Sequence, residues 1–379
     1  MKVLHLSTSD TGGAGRATYR THQGLLKAGI DSQMLVRNQL NDNHSVQSSQ
    51  SKLQTKLAPF NIPSRLNDLP LFLYPRRQTG NFSPQWLPNS IRSHITRFNP
   101  DIIHLHWIGS GYLSIEAIAK LGKPVVWTLH DMWAFTGGCF YTQNCDRYTA
   151  SCGHCPHLNS GRENDLSRWV WQRKMNAWNQ LDLTIVPVSN WLAQCARTSS
   201  LFKDRTIQVI PNALDLSVYQ PLNSRDARRA LNLPQDKHLI LFGALRATQD
   251  KRKGFYLLCP ALKQLSGTEW QDKIELVVFG SSASSEPIDL GFKTHYLGHL
   301  HDDIALAMVY SAASVMVVPS LQEAFGQTAS EAIASGTPVV AFDQTGVSDI
   351  VDHQQNGYLA RPFEIDDLAR GIAWVLEDN

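Results

Sequence analysis

The sequence contains no run of about eighteen apolar residues, so no helix that spans a membrane is expected. Its opening, MKVLHLSTSD, is too short an apolar stretch for a secretory signal and is interrupted by His5 and Asp10. The expected location is therefore the cytoplasm, where thiols stay reduced and six cysteines form no disulfide framework. Nothing in the composition is biased towards disorder or fibres: apolar residues make up 42% and charged ones 18%, as in a globular enzyme. Net charge is small too, 35 Lys and Arg against 33 Asp and Glu, and no nucleic-acid partner is expected. What charge there is lies unevenly. Residues 1–213 hold 22 basic against 12 acidic groups, and residues 214–379 hold 13 against 21. The basic half either faces something anionic, such as phospholipid headgroups or a phosphorylated partner at the inner face of the membrane, or merely complements the acidic half.

A length of 379 residues suggests two domains, each with its own core. Residues 2–7 read as a strand, SDTGGAG as a glycine loop, ATYRTHQGLLKAGI as a helix and DSQMLV as a second strand. That is the opening of a doubly wound α/β domain. Residues 38–90 are polar and irregular and read as a loop-rich insertion. DIIHLHWI and KPVVWTLHD read as buried parallel strands, and a helix over 164–180 carries Trp169, Trp171 and Trp178 beside Arg168, Arg173 and Lys174. This helix either lies on a membrane surface or packs its tryptophans on the sheet. A hinge is expected at Asn212–Asp215, after which strands and helices begin to alternate again.

Four places carry chemistry. The strand ending at His130-Asp131 reaches the carboxyl edge of its sheet, where such folds place ligands; the pair could orient a hydroxyl or share a proton. Directly after it, Cys139, Cys145, Cys152 and Cys155 are spaced by five, six and two residues, a pattern that suits a closed structural zinc site better than free thiols. His154 and His157 are substitute ligands, while Cys195 and Cys259 stand alone as core thiols. In the second half, RATQDKRKG places Arg246, Lys251, Arg252, Lys253 and Gly254 between a strand and a helix, as a pyrophosphate cradle or a solvated loop.

The fourth is PSLQEAFGQTASEAIASGTPVVAF. Glu323 falls in a turn, and Glu331 about two turns into a helix starting near Gly326. The free amides of that helix's first turn can hold an anion, with one carboxylate before them and one after to accept hydrogen bonds from sugar hydroxyls. A nucleotide-sugar fits this description. The plainer alternative makes Glu323 a helix cap and Glu331 a solvated position.

TGGAG, PDIIHLHW, LHDMW, VIPNALD, the RKG loop and EAFGQTASEAIASGTPVVA together resemble the GT-B glycosyltransferases, and more closely the retaining enzymes of family 4. The resemblance implies an α/β fold of two Rossmann-like domains facing across a cleft. Residues 1–213 would be the acceptor-side domain, with its Cys-rich loop at 139–155, and residues 214–379 the donor domain. It implies transfer of a sugar from a nucleotide-sugar to a saccharide or lipid-linked acceptor with retained configuration, as in cell-surface polysaccharide or glycolipid synthesis. By position, Glu331 would hold the ribose and Glu323 the donor sugar, with the amides around Phe325, Gly326, Gln327 and Thr328 helping to bind sugar and pyrophosphate. Lys253 would neutralise the leaving diphosphate, with Arg246 or Arg252 beside it; His130 would contact the sugar, and Gly13 the phosphates. Leu297 and Gly298 would line the base pocket, near the strand end at Gly243.

No Asp-x-Asp occurs, so no catalytic metal is expected and basic side chains take over that task. Three features depart from the family pattern: Gly243-Ala244 in place of Gly-Arg, Ala213 where glycine is common, and an end at Asn379 where relatives run on. A non-catalytic nucleotide-sugar-binding protein of the same shape, or an epimerase, would share much of this pattern.

Overall fold

The computed structural model describes residues 1–40, 43–49, 62–243, 249–280, 289–300 and 302–377. The chain divides into two compact units, Met1–Ala213 and Leu214–Asn379, each built on its own parallel sheet. Among the described residues no helix is long and apolar enough to cross a membrane.

In the first unit, β1 (Lys2–Ser9) leads into α1 (Gly12–Lys27) and β2 (Asp31–Asn38). The sheet is completed by β3 (Val46–Ser48), β4 (Ile102–Leu105), β5 (Val125–Leu129), β6 (Leu183–Pro187) and β7 (Thr206–Ile207). Its order is β3-β2-β1-β4-β5-β6-β7. The order reverses between β1 and β4, so the loops leaving those strands diverge and leave a crevice at the carboxyl edge. Apolar runs such as Leu4, Leu6, Met34 and Val36 are buried, as expected of strands covered on both faces. Gly15 sets how closely α1 approaches β1: a Cβ there would stand 2.6 Å from the Ser9 carbonyl oxygen.

The stretch read as irregular, 38–90, does contain local structure, including β3, α2 (Ile62–Asn67) and a 3-10 turn at Leu69–Leu73. Long-range contacts hold it, β3 pairing in parallel with β2 and the amides of Gln78 and Ser83 donating to the carbonyls of His157 and Gly138, and no local apolar period announces these. A short helix α3 (Arg92–Phe98) ends at left-handed Asn99, before Pro100, and α4 (Ile115–Ala119) follows. The tryptophan-rich helix α5 (Leu166–Trp178) is capped by Asp165, which accepts from the amides of Ser167 and Arg168. Its tryptophans divide. Trp178 packs into the core with its ring 5.2 Å from Trp127, Trp171 donates to Ser200 Oγ, and Trp169 is exposed under the Arg173 guanidinium. The packing reading therefore holds for Trp178, while Trp169 stands outside the core. Helix α6 (Asn190–Thr198) joins β6 to the last strand.

The second unit begins with α7 (Ser224–Ala230) and holds β8 (His238–Gly243), β9 (Ile274–Phe279), β10 (Thr294–Tyr296), β11 (Val315–Val318), β12 (Val339–Phe342) and β13 (Gly357–Ala360). Their order is β10-β9-β8-β11-β12-β13, with the reversal between β8 and β11. Helices α8 (Phe255–Ser266), α9 (Asp303–Ala312), α10 (Gln327–Ala334) and α11 (Ile365–Glu377) connect and close it. The loop from β8 to α8 and the loop from β11 to α10 leave the two strands that flank the reversal. They are the basic loop and the glutamate loop of the sequence.

Candidate active site

The two loops of the second unit are fastened by glycine. Gly254 caps α8 with φ +73°, and a Cβ there would lie 1.7 Å from the Pro319 carbonyl oxygen. Only glycine allows that approach. Backbone bonds complete the seam: the Leu321 amide donates to the Arg252 carbonyl at 2.8 Å, and Arg252 Nη1 to the Gln322 carbonyl at 2.7 Å. Asp250 accepts from the Arg252 amide and fixes the 3-10 turn Lys251–Lys253.

This brings the basic loop onto Glu323. Lys253 Nζ lies 2.5 Å from Glu323 Oε1, Ser320 Oγ donates to the same oxygen at 3.0 Å, and Arg252 Nη1 is 3.5 Å away. Burial alone would raise the carboxyl, but Lys253 and then Arg252 outweigh it and hold it below its ordinary value. Glu323 is thus no helix cap. Its described hydrogen bonds fall on Oε1, which leaves Oε2 to accept from a hydroxyl. Lys253 in turn is engaged with Glu323, so a bound phosphate would have to share this cation.

The Glu323 amide donates to Thr345 Oγ1, and the Gly346 amide to the Glu323 carbonyl. Gly326 opens α10 with φ +100°, packed so that a Cβ would meet Val347 Cγ2 at 2.8 Å; being glycine, it offers no side chain to cap the helix. Gln327 is the first helical residue, so Glu331 stands a little over one turn in rather than two. Nor is it solvated. It is buried, and Tyr310 on α9 donates to its Oε2 at 2.9 Å. Gly243 ends β8 against the Phe279 ring, which a Cβ would meet at 2.2 Å. Leu297 donates to the Val278 carbonyl and Gly298 accepts from the Gly280 amide, so both sit at the same edge beside β9. Arg246 lies outside the described residues.

In the first unit, Gly12 begins α1 with φ +72° and Gly13 is exposed in its first turn. His130 follows β5, and its ring is held neutral by burial, then by neighbouring His104, at a pKa of about 3. The Asp131 carboxylate accepts from the Trp107 indole at 2.7 Å and from the Trp133 amide at 2.8 Å, which fixes the turn after His130. His130, Trp107 and Phe140 border a small cleft at this edge.

Cys139, Cys145, Cys152 and Cys155 line a second small cleft and are all free thiols. Burial, then adjacent thiols, pushes Cys139 well up; burial raises Cys152 to about 12 and Cys155 to about 11. The knuckle Cys152-Gly153-His154 runs through three positive φ angles, and the amides of His157 and Leu158 point at the Cys155 sulfur. Those amides offset only part of the burial, so the sulfur stays a neutral thiol in this structure. The four sulfurs are not as close as a bound ion would draw them. Among the described residues, the group with ligand atoms within 4.8 Å of one another is His5, His104 and His106. His157 is spent on Asn81, Gln78 and the Thr142 carbonyl, and exposed His154 bonds the Gly161 carbonyl.

Sequence reasoning missed Ser320, in the same loop as Glu323, and Tyr310 and Thr345, which hold the two glutamates from other elements and carry no spacing signal. It also missed Lys174, fully buried beside this loop, which donates to the carbonyls of Trp133 and Thr136 under the Trp133 ring.

Comparison with known families agrees with this geometry. Residues 11–218 match the model described as Glycosyltransferase Family 4, and residues 236–378 that described as Glycosyl transferases group 1. The chain belongs to the family 4 glycosyltransferases and has their GT-B fold. An uncharacterized glycosyltransferase of Methanocaldococcus jannaschii is 33% identical over 158 residues, 40% of this chain and 39% of that one. A D-inositol 3-phosphate glycosyltransferase of Nocardia farcinica is 25% identical over 98% of this chain and 78% of its own. Among solved structures, sucrose-phosphate synthase of Thermosynechococcus elongatus superposes with a TM-score of 0.67 at 21% identity, covering 100% of this chain and 90% of that one. Anabaena HepE in complex with UDP-glucose superposes with a TM-score of 0.62 at 17% identity and the same coverage.

Proposed function

We propose that this glycosyltransferase moves a sugar from a nucleotide-sugar to a saccharide or lipid-linked acceptor with retained anomeric configuration, in cell-surface polysaccharide or glycolipid synthesis. The observation that carries the reading is the ion cluster at the strand reversal: Lys253 and Arg252 on Glu323, beside the start of α10 at Gly326 and buried Glu331. Glu331 takes the ribose hydroxyls. Glu323 offers Oε2 to a donor-sugar hydroxyl, and the amides at Phe325–Thr328 take the sugar and pyrophosphate. Lys253 and Arg252 stabilise the charge that builds on the diphosphate as the sugar–oxygen bond breaks. The acceptor oxygen bonds the same carbon from the same face, and its proton leaves with the diphosphate. Leu297-Gly298 and Gly243 border the base; His130 and Gly13 are assigned to donor sugar and phosphates. HepE was solved with UDP-glucose, which favours a uridine nucleotide as the first donor to try.

A screen of UDP-, GDP-, ADP- and dTDP-sugars by thermal shift tests this. One nucleotide at about a hundred times its dissociation constant should add about 2.7 kcal/mol of stability to the wild type. The same nucleotide should add little to Glu331→Ala. Equal stabilisation of both proteins would remove Glu331 from the donor site. Product analysis then separates transfer from bare binding or epimerisation.

We assign the four cysteines to a structural zinc ion, which would staple the loop after β5 and take no part in the chemistry. The basic first unit is assigned to an anionic acceptor or membrane surface, in keeping with a relative named for a phosphorylated inositol.

A further inference from the structure

One face of the first sheet carries a row of imidazoles, of which the transferase reading uses only His130. His5 lies on β1, His104 on β4 directly opposite it, and His106 and His130 just past the ends of β4 and β5. His5 Nδ1 and His106 Nε2 are 3.0 Å apart, and His106 Nδ1 and His130 Nε2 are 3.1 Å apart. A ring nitrogen lies about 1.1 Å from its ring centre, so a head-on N–H···N bond should separate the centres by about 5.3 Å. The observed separations are 5.2 Å for His5–His106 and 5.4 Å for His106–His130, with the rings tilted by only 32° and 20°. Both contacts have the geometry of in-plane hydrogen bonds. His104 does not join the chain. It meets His106 ring to ring at 4.1 Å and bonds Thr128 Oγ1 through Nε2.

A neutral imidazole has one N–H donor and one lone pair, so a chain of such bonds can run in only two directions. In one, His5 Nδ1–H donates to His106, His106 Nδ1–H donates to His130, and the His130 proton is on Nδ1. In the other, every proton moves to Nε2, and His130 carries a bare, basic Nδ1. The far end of the chain decides. His5 is fully buried, and its Nε2 has no hydrogen-bond partner among the described residues. The second direction would strand an N–H donor there, and buried N–H groups without an acceptor are rarer than unfilled acceptors.

We infer that the orphaned His5 nitrogen fixes the direction of the chain, making His5 and His106 positioning residues that lock His130 as the Nδ1–H tautomer. His130 then offers the sheet edge a hydrogen-bond donor and no base. Burial, reinforced by neighbouring imidazoles, keeps His5, His106 and His130 neutral. The consequence for catalysis rests on the transferase reading: His130 donates to a donor oxygen and takes no proton from the acceptor. The tautomer itself does not depend on that reading.

Two-bond proton–nitrogen spectra of the full chain, labelled with ¹⁵N-histidine and free of nucleotide, read the tautomers directly; single replacements assign the signals. An orphaned N–H is costly enough that His106 and His130 should be Nδ1–H by about ten to one or more. His5→Asn, whose amide can donate from the place of Nδ1, should keep both signals. His5→Phe, which fills the space without a donor, should let His106 and His130 sample both tautomers. An Nε2–H signal for His130 in the wild type overturns the inference. So does a metal ion retained on nitrogens of His5, His104 and His106 after the four cysteines are replaced. If the tautomers are as expected but no donor moves the His130 signals, the inference stands and the assignment of His130 to the donor falls.

Discussion

Glu323 and Lys253 stabilise one another in a pocket only 12% and 18% open at the side chains, so removing the lysine leaves a carboxylate with little water to replace it. Arg252 at 3.5 Å compensates only in part. Lys253→Ala should therefore cost about 2–3 kcal/mol at neutral pH. The pH dependence has a definite sign. The folded carboxyl lies below the ordinary 4.5, so its pairing adds stability above that pH, and this is lost as the pH falls through the folded value. Melting temperatures of wild type and variant should stand apart at pH 7 and draw together as the pH falls below the ordinary carboxyl value of 4.5. A gap that stays constant down to pH 3 would show that the lysine matters through packing alone. How these residues meet was half visible in the sequence. The eight-residue step from Glu323 to Glu331 and the cationic loop are both legible there. That the loop closes on Glu323 through Gly254 depends on β8 lying beside β11, which local pattern does not specify.

At the scale of elements, the two loops at the strand reversal behave as one piece because Gly254 lets them touch. Gly254→Ala must adopt φ +73° and move the Pro319 carbonyl, so a loss of about 2 kcal/mol or more is expected, together with weakened donor binding. Gly267, at the other end of the same helix, has φ −84° and no atom nearer than 3.7 Å to a built Cβ. Gly267→Ala should leave melting and binding nearly unchanged, and equal effects at the two sites would refute the seam. The cysteine loop makes a second prediction. If the four thiols hold zinc, purified protein should contain about one equivalent, and Cys155→Ser should lose the metal and lower the melting temperature. Metal-free protein with unchanged stability under chelation would leave the thiols as packing groups. The elements themselves were readable, since apolar runs alternate with glycine turns and helical periods. His104 near the end of β4 and His106 just past it also fall on one face by the strand period of two. Their link to His5 was not readable, because the pairing of β1 with β4 spans about a hundred residues.

For the whole molecule, the uneven charge and the exposed apolar side chains of the first unit bear on the same question. Residues 1–213 carry 22 basic against 12 acidic groups, while Phe72 and Leu73 are 71% and 80% exposed beside Arg76. Had the charge split served only to match the two halves, nothing would require apolar side chains to stand in water next to it. An anionic bilayer can use both, with headgroups meeting arginines and the two apolar side chains entering the interface. Each basic group near such a surface contributes about 1 kcal/mol, and the effect fades as the screening length shrinks from about 10 Å at 0.1 M salt to 3 Å at 1 M. Full-length protein should thus float with vesicles containing anionic lipid at 0.1 M salt, and at least about tenfold less at 1 M or with zwitterionic vesicles. Phe72→Ser with Leu73→Ser should weaken the low-salt binding by about tenfold as well, through the lost apolar contact, and leave the salt dependence in place. Binding to neither kind of vesicle would turn the basic surface over to a small phosphorylated acceptor, for which the apolar pair has no use and its replacement no effect.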